Sequence, residues 1–173
     1  LPQLKHFKQS AQTLGKIMHQ TVAHVAKHID AIAAKKVVGY RKDLLFEAMQ
    51  NTEKAKGRLL YYYPLDKDQV KEDNWIGWHN DSGFLTSLAG DLFLDDETGK
   101  PLPPDQVDPE AGLYVTNRSG ESINVKIPDD CMAVQIGECV QILTGGVVVA
   151  TPHCVNLELE QNIHSLTFHI SQI

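Results

Sequence analysis

Gly112-Leu113-Tyr114-Val115-Thr116-Asn117-Arg118-Ser119-Gly120-Glu121-Ser122-Ile123-Asn124-Val125-Lys126-Ile127 is the stretch that decides the fold class of this 173-residue chain. Ile123, Val125 and Ile127 alternate with polar residues, the period-two pattern that turns one face of a strand inward and the other outward. Arg118-Ser119-Gly120 separates two such runs as a tight turn would, so 112–117 and 122–127 are predicted to form a hairpin. Downstream, Pro128-Asp129-Asp130 turns the chain into a strand over 132–136. Gly145-Gly146 breaks it before Val147-Val148-Val149, which leads to His153, and 164–170 is a last alternating strand. Upstream, Leu59-Leu60-Tyr61-Tyr62-Tyr63 is an aromatic strand stopped by Pro64, followed by strands over 75–81 and 84–88. The acidic, proline-rich stretch 95–111 is a surface excursion long enough to serve as a lid or substrate loop.

The first 57 residues follow a different period. Leu14, Met18, Val22, Val25, Ile29 and Ile32 recur every three or four residues, an apolar helical stripe that Gly39 is expected to end. A shorter helix over 41–56 would bury Leu44, Leu45, Ala48 and Met49, with Gly57 at its C-terminal cap. Helices first and then about eight short strands predict an α+β, mainly β domain: an antiparallel sandwich or jelly roll preceded by two helices. The whole of 1–173 reads as one domain, with a helical part over 1–57 and a β core over 58–173.

Composition narrows the function classes. A net charge of −6 argues against a nucleic-acid surface, and Lys35, Lys36 and Lys42 read as a solvated helix end. No apolar run approaches the roughly 20 residues that span a bilayer, and the opening residues lack the charged-then-apolar pattern expected of a signal peptide. Cys131, Cys139 and Cys154 have no metal-finger spacing and are expected to be reduced thiols, which suits a cytoplasmic protein. His24 and His28 stand four apart on the first helix without a companion glutamate motif, so a solvated face is expected there.

Chemistry concentrates at Trp78-His79-Asn80-Asp81-Ser82-Gly83 and Thr151-Pro152-His153-Cys154-Val155. If 75–81 is a strand, His79 and Asp81 emerge on one face. A third ligand, His153, would complete two imidazoles and one carboxylate on one side of an octahedral metal. Three adjacent positions stay open, which suits Fe(II) holding a cosubstrate and O₂.

Several segments together resemble the Fe(II)/2-oxoglutarate-dependent oxygenases of the isopenicillin-N-synthase-like or clavaminate-synthase-like branch. They are Gly57-Arg58-Leu59-Leu60-Tyr61-Tyr62-Tyr63-Pro64, the run Trp78 to Thr86, Gly112 to Val115, Ile136 to Gly146, and Thr151 to Val155. The resemblance implies a double-stranded β-helix, a cupin-like barrel, with His79, Asp81 and His153 as iron ligands. It implies Fe(II), 2-oxoglutarate and O₂ as the reacting groups, with an unidentified small molecule as substrate. Oxidative decarboxylation of 2-oxoglutarate would supply two electrons to that oxidation. Tyr63, and Tyr61 on the same face, match the family's cosubstrate-contacting positions, whereas Tyr62 would point away. Trp78 and Phe84 are expected near the substrate pocket. Family members carry a further N-terminal portion, which this chain is expected to lack or omit.

The chain departs from the family pattern after His153. An Arg-x-Ser element there grips the far carboxylate of 2-oxoglutarate, because a guanidinium meets a carboxylate with two charge-assisted bonds. The corresponding stretch here is Asn162-Ile163-His164-Ser165-Leu166-Thr167-Phe168, and no arginine follows Arg118. Ser165, Thr167 and His164 are the candidates that position offers, and Arg58 or Arg118 could supply the charge from elsewhere. Two alternatives stand beside 2-oxoglutarate use: an Fe(II) oxidase without that cosubstrate, and a non-catalytic metal-binding jelly-roll module. Hydrolysis at zinc is disfavoured because no additional general base is marked.

Overall fold

A computed structural model describes residues 4–63, 74–95, 97–156 and 163–171. Two helices come first, α1 (Phe7–Lys36) and α2 (Leu44–Asn51). Among the described residues nine strands follow: β1 (Lys56–Tyr62), β2 (Asn74–His79), β3 (Leu85–Ala89), β4 (Leu92–Asp95), β5 (Gly112–Thr116), β6 (Ser122–Val125), β7 (Met132–Ile136), β8 (His153–Asn156) and β9 (Ile163–Ser171). A short helix, α3 (Glu138–Leu143), lies between β7 and β8.

The strands form two antiparallel sheets. One runs β1-β9-β3-β7, with β4 also pairing β9; the other runs β2-β8-β5-β6. The predicted hairpin is present, with Thr116 opposite Ser122 and Leu113 opposite Val125. Neither sheet closes on itself among the described residues, so the architecture is an α+β pair of antiparallel sheets.

Alternation on β3 and β7 sorts the first sheet into two faces. Leu85 packs in the core with Val22, Ala26 and Ile29 of α1, Leu45 and Met49 of α2, and Val140 of α3; Val134 and Ile136 of β7 join from beside it. Thr86, Leu88 and Gln135 face the other way, into a cavity. The helices therefore cover one face of the first sheet and leave the other to the site.

Two helix details differ from the sequence reading. The buried face of α1 is Met18, Val22, Ala23, Ala26, Ile29 and Ala33, while Ile32 is exposed. Small alanines let the helix approach the sheet closely, so the burial stripe follows them rather than the bulkiest residues. The second helix ends at Asn51, and Gly57 belongs to β1 instead of capping it. Its start is set by a tertiary contact. The buried Asp30 carboxylate of α1 accepts the backbone N–H groups of Leu45 (3.0 Å) and Phe46 (2.8 Å), and the Tyr40 hydroxyl (2.6 Å). Those N–H groups lie in the first helical turn, where no intrahelical acceptor exists.

Candidate metal centre

His79 ends β2 and His153 begins β8, and the register pairs them directly. Their rings lie 4.3 Å apart, centroid to centroid. Asp81 reaches the same place differently from the sequence reading, because β2 stops at His79 and Asp81 sits in the bend that follows. The irregular segment after β2, and not strand alternation, brings it round. The ligand atoms of His79, Asp81 and His153 all lie within 4.8 Å of one another.

That bend is held from α3 and the residue before it. Gly137 donates its N–H to Phe84 O (2.8 Å), Glu138 to Asp81 O (2.8 Å) and Cys139 to Gly83 O (3.1 Å). The Cys139 thiol adds a bond to Ser82 O at 3.1 Å. Sequence reading gave 137–144 no element of its own, although this helix start is what shapes the loop.

Each member of the trio has one polar atom engaged and one left over. The Nδ1–H of His79 donates to Gly77 O at 2.8 Å, and that of His153 to Thr151 O at 3.1 Å. A carbonyl can only accept, so Nδ1 carries a hydrogen in both rings, and in the neutral imidazole Nε2 is then the lone-pair atom. The Thr86 hydroxyl donates to Asp81 Oδ2 at 2.6 Å, while Oδ1 lies 3.9 Å from His153 Nε2. Burial first, and the neighbouring His79 in smaller part, hold the His153 imidazole below the ordinary histidine range, which favours the neutral ring. Two imidazole nitrogens and one carboxylate oxygen, all within 4.8 Å of one another, are a donor set that fits Fe(II) or a similar divalent ion.

The trio lines a cavity of about 250 Å³ between the two sheets, just below the usual size of small-molecule sites. Thr86, Leu88 and Gln135 line it from one sheet, Ile76, Leu113 and Val155 from the other. β1 contributes Arg58, Leu60 and Tyr62. The site thus receives Tyr62 and does not receive Tyr61 or Tyr63, whose rings meet each other edge to face at 5.0 Å on the opposite side. The register explains this. Arg58 and Leu88 both pair with His169, so they lie in one row across the sheet, and Arg58 faces the cavity as Leu88 does. Burial, with Asp91 adding to it, pushes the Tyr62 phenol up to about 12.

Other expected site residues fall elsewhere. Trp78 is exposed and Phe84 packs against the helix-covered core, and neither lines the cavity. His164, Ser165 and Thr167 belong by backbone to β9, opposite Leu94, Phe93 and Leu60, and their side chains lie outside the described part of the structure. Arg118 is exposed in the β5–β6 turn, away from the cavity. His24 and His28 are both exposed on α1. Thr86 and Gln135 were missed from sequence. The available signal for Gln135 was a lone amide at an inward position of Met132-Ala133-Val134-Gln135-Ile136. Its Nε2 is buried without a hydrogen-bond partner among the described residues.

No protein-family model matches the chain, and no curated protein matches it in sequence. Solved structures match it in fold. The dioxygenase for auxin oxidation (DAO) of rice superposes with a TM-score of 0.67 at 19% identity, over 97% of this chain and 47% of that one. A full-length Neurospora crassa protein, solved in complex with alpha-KG, gives a TM-score of 0.67 at 16% identity, over 98% and 47% of the two chains. JOX2, in complex with 2OG, Fe and JA, gives 0.59 at 22% identity, over 96% and 41%. The chain shares the fold of these three structures and spans about half their length or less. Among the described residues no helix is long and apolar enough to cross a membrane.

Proposed function

We propose that this chain is the iron-binding part of an Fe(II)-dependent oxygenase that uses 2-oxoglutarate and O₂ to oxidise a small molecule, on a double-stranded β-helix. His79, Asp81 and His153 are the iron ligands in this reading. The observation that carries it is the way backbone carbonyls and Thr86 occupy one polar atom of each residue, leaving Nε2, Oδ1 and Nε2 as donors at the cavity. The carbonyls of Gly77 and Thr151 orient the rings, and Thr86 orients the carboxylate, before any metal arrives. The fold match to rice DAO, the Neurospora protein and JOX2, the last with 2OG and Fe in its complex, supports the same reading. When bound, the iron supplies the coupling of O₂ reduction to 2-oxoglutarate decarboxylation. Within the trio His153 is nearly fully buried, Asp81 is partly buried and His79 is exposed, so the site meets solvent on the His79 side.

Anaerobic titration of the Fe(II)-loaded protein with 2-oxoglutarate tests the reading. A visible charge-transfer band that saturates with added 2-oxoglutarate is expected, and His79→Ala or Asp81→Ala should abolish iron retention and the band together. Retained iron without any band would favour the alternative without 2-oxoglutarate, which the lack of an arginine beyond Arg118 supports. Undiminished iron in both variants would remove the ligand assignment.

A further inference from the structure

Resting on that reading, we infer that Arg58 of β1 is the residue that takes the far carboxylate of 2-oxoglutarate. A dicarboxylate bound at the metal through its 2-oxo acid end carries a second full negative charge into the cavity, and a charge there needs a cation partner. Among the described residues Arg58 is the only lysine or arginine lining the cavity. Nothing on β9 supplies a guanidinium or an ammonium, since Ile163–Ser171 contains neither arginine nor lysine.

Position fits as well as charge. Thr86, which holds Asp81, pairs with Ser171, and Arg58 pairs with His169 two residues along β9. Two strand spacings and two residues put the Arg58 backbone about 12 Å from that of Thr86, and Arg58, an exposed residue, lines the cavity. A guanidinium on a stem of about 6 Å then comes within reach of a five-carbon diacid whose other end is at the metal. Asp91 lines the same cavity, and Lys126 lies close enough to feel its charge, which partly offsets it. Leu60, between Arg58 and Tyr62 on the same face, would lie along the methylene chain of the diacid. The charge that a β9 arginine would provide is thus carried on the strand beside it.

The test compares 2-oxoglutarate with 2-oxobutyrate, which keeps the chelating 2-oxo acid and lacks the far carboxylate. Anaerobic Fe(II) protein is titrated with each acid and the charge-transfer band gives the dissociation constant. Arg58→Gln should weaken 2-oxoglutarate roughly ten- to hundredfold, the loss expected for a charge-assisted pair, and leave 2-oxobutyrate unchanged. Arg58→Lys should fall between, because the charge stays and the fork is lost. Iron retained at the wild-type stoichiometry shows that each variant has folded; if Arg58→Gln does not retain it, Arg58→Lys carries the test. Equal 2-oxoglutarate affinity in wild type and both variants, or equal losses for both acids, overturns the assignment to Arg58 and leaves 2-oxoglutarate use standing. Absence of 2-oxoglutarate binding in the wild type overturns both.

Discussion

Thr86 shows how much of the site is made by residues that would never touch a metal. Its hydroxyl lies 2.6 Å from Asp81 Oδ2, and the residue itself is buried. Without that bond the carboxylate could rotate and offer either oxygen, so ordering it would be charged against metal binding. Thr86→Val keeps the shape and removes the hydroxyl. We expect it to lower Fe(II) affinity roughly 10- to 100-fold, measured by chelator competition, while the protein stays folded. Unchanged affinity would mean Asp81 is oriented by the bend alone. His79 and His153 are oriented by backbone carbonyls instead, which no side-chain substitution removes. His79, Asp81 and His153 were legible as candidates because their residue types are rare and chemically specific. Thr86 was not, since a threonine in a strand ordinarily signals only β propensity.

Between β2 and β3 the chain makes a bend whose shape is set by the start of α3. Three consecutive N–H groups, from Gly137 to Cys139, meet the carbonyls of Phe84, Asp81 and Gly83. Gly137 has to be glycine for a packing reason: a β-carbon there would collide with the Gly83 carbonyl. Its φ of −92° is one that any residue adopts. Gly137→Ala should therefore destabilise the protein by about 1–3 kcal/mol in denaturant unfolding and weaken metal retention, because the bend must move to make room. Retained stability with retained iron would show that the loop yields freely. The faces of β1 belong to the same scale. Leu59-Leu60-Tyr61-Tyr62-Tyr63 is apolar or aromatic at every position, so alternation within it carries no sign of which residues turn inward. Pairing with β9 decides, and it selects Arg58, Leu60 and Tyr62. A one-residue slip of register would have selected the other set.

Across the whole molecule, the trio joins parts that are otherwise only packed together. β2 and β8 belong to one sheet, whereas Asp81 sits at the crossing to β3 in the other. A metal held by all three would tie the sheets across the cavity, and binding only to the folded state stabilises it by mass action. At Fe(II) a hundredfold above its dissociation constant, stabilisation of about 2.7 kcal/mol and a rise in Tm of roughly 5–10 °C are expected. Anaerobic thermal melts with and without Fe(II) measure it, and Asp81→Ala should remove the rise. A rise that persists in Asp81→Ala would place the stabilising metal elsewhere.

The sequence by itself determined the class of fold and the trio of candidate ligands. Period-two runs punctuated by glycine and proline, as in 112–127, leave antiparallel strands as the way to bury one face. The apolar stripe of the first helix demanded a sheet to cover, and His79, Asp81 and His153 stood out by chemistry. Only the tertiary structure decided how Asp81 reaches the histidines, which face of β1 meets the cavity, and that Arg58, Thr86 and Gln135 line it. Those outcomes depend on strand register and on contacts between segments far apart in the chain. Local patterning fixes which residues share a face, and pairing partners distant in sequence fix which way that face looks.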